Sequence, residues 1–76
     1  MDENDYRLIS QKLLNCIDQC AYIERLLSQD AADMAQCVTG DVCQQYQQLI
    51  DQTKTNVSKL KRELRNQHNE LMSVML

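Results

Sequence analysis

Apolar residues recur along this chain at alternating steps of three and four. In the first half they are Tyr6, Ile9, Leu13, Cys16, Cys20, Ile23 and Leu27. In the second they are Cys43, Tyr46, Ile50, Val57, Leu60, Leu64, Leu71 and Val74, with Thr53 and Gln67 filling two polar gaps. Such spacing marks the seam of a helix that packs lengthwise on another helix. Two seams therefore predict two long helices, over 3–38 and 41–74.

Between them stands Thr39-Gly40-Asp41, which holds the one glycine of a chain that has no proline. Glycine enters the left-handed conformation that ends a helix at no steric cost. Asp41 is then expected to cap the second helix, with Gln44 completing a capping box. Folding the chain back at Gly40 makes facing residues sum to about 80, as an antiparallel pair of heptad seams requires. Ile9 then meets Leu71, Cys16 meets Leu64, Cys20 meets Leu60, and Cys37 meets Cys43. The expected fold is all-α: one domain over residues 1–76, an antiparallel helical hairpin of coiled-coil type. At the amino end, Asp2 or Asn4 is placed to cap the first helix.

The first helix carries more apolar surface than this seam uses. Leu14, Ile17 and Ala21 form a second row, flanked by Leu8, Tyr22 and Leu26. A stripe that wide buries two sides of a helix. Leu14, Ile17, Ala21 and Tyr22 are accordingly the expected partner-binding residues, open either to another protein or to a second copy in a four-helix bundle; the plainer alternative is a broad core face. A hairpin of one seam has no third layer, so the chain is expected to be marginal alone and to favour a partner.

Composition narrows the function. A net charge of −3 and a pI near 4.9 argue against a general nucleic-acid or anionic-membrane surface. No apolar run is long enough to span a bilayer, and the acidic start Met1-Asp2-Glu3-Asn4-Asp5 is unlike a secretory leader, so the cytoplasm is the expected compartment. The four cysteines lack CxxC spacing and fall on the seams as small buried apolar residues; a Cys37–Cys43 redox clamp or soft-metal binding are the alternatives. His68 falls outside the seam and is expected at the surface. No phosphate loop, nucleophile elbow or acid pair is present, so neither catalysis nor a cofactor is expected.

One segment has a family resemblance. Gly40-Asp41-Val42-Cys43-Gln44-Gln45-Tyr46-Gln47 resembles the turn and second-helix start of the YscE/PscE/EscE family of type III secretion needle co-chaperones. The matching features are a turn glycine and then Gln45, Tyr46 and Gln47, followed by a glutamine-rich helix. The resemblance implies a bacterial cytoplasmic co-chaperone that binds a larger tetratricopeptide-like chaperone. The pair would hold a needle subunit monomeric before export, the small member mainly stabilising the large one.

Overall fold

The computed structural model describes residues 2–36 and 40–75. It contains α1 (Glu3–Ala35) and α2 (Gly40–Met75), packed against each other along their length. The hairpin measures 57 × 14 × 14 Å, with a radius of gyration of 17.3 Å. A compact chain of this length would have a radius near 11 Å. The molecule is therefore a two-helix rod, as the periodicity predicts.

Asp2 caps α1: its backbone is extended, and its carboxylate accepts from the Asp5 N–H at 3.0 Å. Glu3 and Asp5 place negative charge in the first turn, where the helix dipole favours it. At the other end, the Gln36 N–H donates to the Asp33 carbonyl at 3.2 Å and the helix stops at Ala35, short of the expected 38.

Gly40 departs from its expected role. It opens α2, and the described residues include no glycine of positive φ. Asp41 likewise lies inside the first turn of α2, where its charge suits the dipole, and does not precede the helix as a cap. A Cβ built on Gly40 would meet nothing within 4 Å. Thr39 lies outside the described residues, as does Cys37 of the expected Cys37–Cys43 layer.

The antiparallel register is close to expectation. Ser10 meets His68 and Glu24 meets Ser58, each pair summing to within about two of 80. What differs is the rotation of both helices. In heptad letters, the row Tyr6-Leu13-Cys20-Leu27-Met34 holds position d of α1, and Cys43-Ile50-Val57-Leu64-Leu71 holds d of α2. All of these are buried or half-buried, in agreement with the sequence. The second seam row is position a: Ser10-Ile17-Glu24-Ala31 on α1, with Gln47, Lys54, Lys61 and His68 on α2. The row expected there is position g, one residue earlier, and it is exposed: Ile9, Cys16, Ile23, Tyr46, Thr53, Leu60, Gln67 and Val74.

Polar partnership explains the rotation. The Ser10 hydroxyl and His68 Nε2 lie 2.8 Å apart across the seam, so His68 is a seam residue and not a surface one. Glu24 accepts from both Ser58 and Lys61. Thr53, expected to fix register in the seam, instead faces solvent and donates to the Leu49 carbonyl of its own helix at 2.8 Å. Buried polar groups persist where partners satisfy them, and the a rows supply such partners to each other. Only Ile17 and Cys20, adjoining positions of rows a and d, are buried among the described residues, and both retain slight exposure.

Candidate interaction surface

Helix geometry divides the hairpin lengthwise into two unlike sides. In an antiparallel pair, positions a and e of both helices lie on one side of the seam, and positions d and g lie on the other. The observed contacts agree with this. Ser10–His68 and Glu24–Lys61 are both a-to-a pairs, and Ser58 is an e residue. A shallow groove on the same side is lined by Asp18, Ala21, Glu24, Arg25, Ser28 and Lys61.

The a/e side is polar and internally satisfied. Glu24 and Lys61 form an ion pair with only 17% and 20% of their side chains exposed. The Lys61 ammonium, and then the Ser58 hydroxyl, hold the Glu24 carboxyl below its usual 4.5. No buried side-chain nitrogen or oxygen lacks a hydrogen-bond partner among the described residues.

The d/g side is apolar and open. Ile9 is 37% exposed, Ile23 42% and Leu60 49%. Cys16 is exposed between the two isoleucines, and Tyr46 with Leu49 continues the strip toward the turn end. The whole chain exposes 5970 Å², against about 4,800 Å² for a compact monomer of this mass. An apolar side of this kind, broken in its g rows only by Asp30, Thr53 and Gln67, marks an interaction surface.

The expected docking row is redistributed. Ile17 is core at 8% exposure and Ala21 is half-buried at the rim of the polar groove. Leu14 is exposed on the a/e side. Tyr22 is exposed on the back of α1, with the Arg25 guanidinium 5.6 Å from its ring centre. The four do not form one surface. Of the resembling motif, Gln45 is exposed, Gln47 enters the seam and Tyr46 stands on the open apolar side. Sequence reasoning placed Ile9, Ile23 and Leu60 in the seam and so missed them as surface. The polar residues seven apart at Lys54, Lys61 and His68, opposite Ser10 and Glu24, are the signal that relocates the seam.

No helix is long and apolar enough to cross a membrane, and no group of three or more metal-ligating side chains is found, among the described residues. No family model, curated protein or solved structure matches the chain.

Proposed function

We propose that this protein is a binding module, a co-chaperone that lays the d/g side of its hairpin against a larger helical-repeat chaperone. In this reading the pair keeps a type III secretion needle subunit monomeric in the bacterial cytoplasm before export. The role is stabilisation by contact, with no catalysis and no cofactor. The observation that carries it is the exposed row Ile9, Cys16, Ile23 and Leu60 beside a seam with only two buried residues among those described. A rod that buries so little gains stability from any partner that binds only its folded form. The family resemblance supplies the identity of the partner, and Tyr46 of the resembling motif lies on the same side.

The test is co-expression with a candidate helical-repeat chaperone followed by co-purification. Wild type should be recovered in a complex that raises the melting temperature of both chains. Tyr46→Asp and Leu60→Asp should abolish recovery, because each would bury an unpaired carboxylate at the contact. Recovery undiminished by both substitutions would overturn the assignment of this side.

A further inference from the structure

We propose that, without another partner, a second copy of this chain covers the d/g side, the two hairpins being related by a twofold axis parallel to their length. The product is a four-helix bundle in which α1 of each copy packs antiparallel to α2 of the other. The inference rests on the d/g side being an interaction surface, as in the proposed function. It does not rest on the identity of the chaperone.

Size is the first support. One broad side of a rod 57 Å long and 14 Å wide covers roughly 800 Å², close to the area each partner contributes to a standard stable interface. A second copy has the same length and the same apolar row, so self-pairing covers the strip from end to end.

Charge chooses the axis. The exposed residues edging the d/g side are at heptad position c; the charged ones are Asp5, Lys12 and Asp33 on α1 and Glu63 and Glu70 on α2. With the axis along the rod, the two turn ends lie together and the c row of α1 runs beside the c row of the partner's α2. The observed register sets Lys12 level with the stretch between Glu63 and Glu70, within about one helical turn of each. Asp5 falls beside Glu70, so the opposite-charge pair gained at each edge is Lys12 with Glu63. With the axis across the rod, α2 lies on the partner's α2, which sets Glu63 level with Asn56 and Lys12 level with Leu26, so neither charge gains an opposite partner. Asp30 agrees. It is the one carboxylate in the g row of α1; the lengthwise axis sets it near the level of the Tyr46 hydroxyl, and the crosswise axis sets it over Ile9.

The test is sedimentation equilibrium of the full chain alone, with circular dichroism on every variant. Wild type should be a dimer at about 50 µM, and Leu60→Asp should sediment as a monomer while keeping its helicity. Lys12→Glu and Glu63→Lys change exposed residues, so the fold is not at risk. Each should weaken dimerisation about tenfold, since every dimer has two such edges. The double variant should return to within about threefold of wild type. A wild type that stays monomeric at about 500 µM overturns the proposal and leaves chaperone binding standing. A dimer unaffected by Leu60→Asp overturns the choice of side, and a double variant weaker than either single one overturns the lengthwise axis.

Discussion

The two sides of the hairpin are made from the same pair of helices, yet they solve opposite problems. On the a/e side, polar residues of each helix find partners on the other: Ser10 with His68, and Glu24 with Ser58 and Lys61. On the d/g side, Ile9, Ile23 and Leu60 reach past the d row into solvent. The lesson is that apolar count alone does not place a seam. Burying the g rows would cover more hydrocarbon, but would turn Glu24 and Lys61 out of their pairing and set Gln67 and Thr53 facing the other helix. The observed rotation keeps the polar pairs and leaves the apolar excess for something else to cover.

The largest effect that would break this comparison is expected at Ile17, on the a row. Ile17→Asp removes a buried aliphatic side chain and buries a carboxylate with no partner, at a cost of about 4 kcal/mol. A hairpin this thin should lose most of its helicity, read by circular dichroism. Native-like helicity would show that the a row is not in the seam.

Acid should act next, and on the a/e side. The folded Glu24 carboxyl sits below its usual 4.5, so it contributes stability that is present above that value. The contribution fades as pH falls through 4.5 and is gone below the folded-state value. Glu24→Gln should therefore melt lower than wild type at neutral pH and lose less of its melting temperature on acidification. Parallel acid limbs for the two proteins would remove Glu24 from the account.

Smaller still is the effect expected on the d/g side. In the isolated chain at low concentration, Leu60→Asp puts a charge where solvent already reaches, and its melting midpoint should move by the equivalent of about 1 kcal/mol or less. Gly40→Ala belongs to neither side and calibrates the scale. With α2 already begun and space for the added methyl, it should stabilise by about 0.5 kcal/mol. Destabilisation instead would restore Gly40 to a left-handed role.

Much of the architecture was legible. The single glycine at mid-chain, the shared d rows and the near-80 register followed from spacing, and Asp2 followed from capping preference. The a and g rows were confused because they are adjacent, and because Ile9, Cys16, Ile23, Leu60 and Val74 look more like core than Ser10, Glu24, Lys61 and His68. Cross-helix hydrogen bonds decide between them, and these require both sequences in register at once. The docking row failed for the same reason: Ile17 looks spare only when Cys16 is put in the seam. The turn was legible as a position. Its chemistry was not, because a glycine at a helix start and one at a helix end leave the same mark in sequence.

Two native cysteines on the d/g side test the rotation of the helices most directly, since they sit one turn apart, one exposed in row g and one in the seam. Cys16 is an exposed g residue, whereas Cys20 is buried in row d. At protein concentrations well below dimerisation, a maleimide probe should label Cys16 at least about tenfold faster than Cys20, whose thiol reacts only when the hairpin opens. Peptide mapping over time gives both rates in one experiment. Equal slow labelling of the two would put row g in the seam and contradict the account.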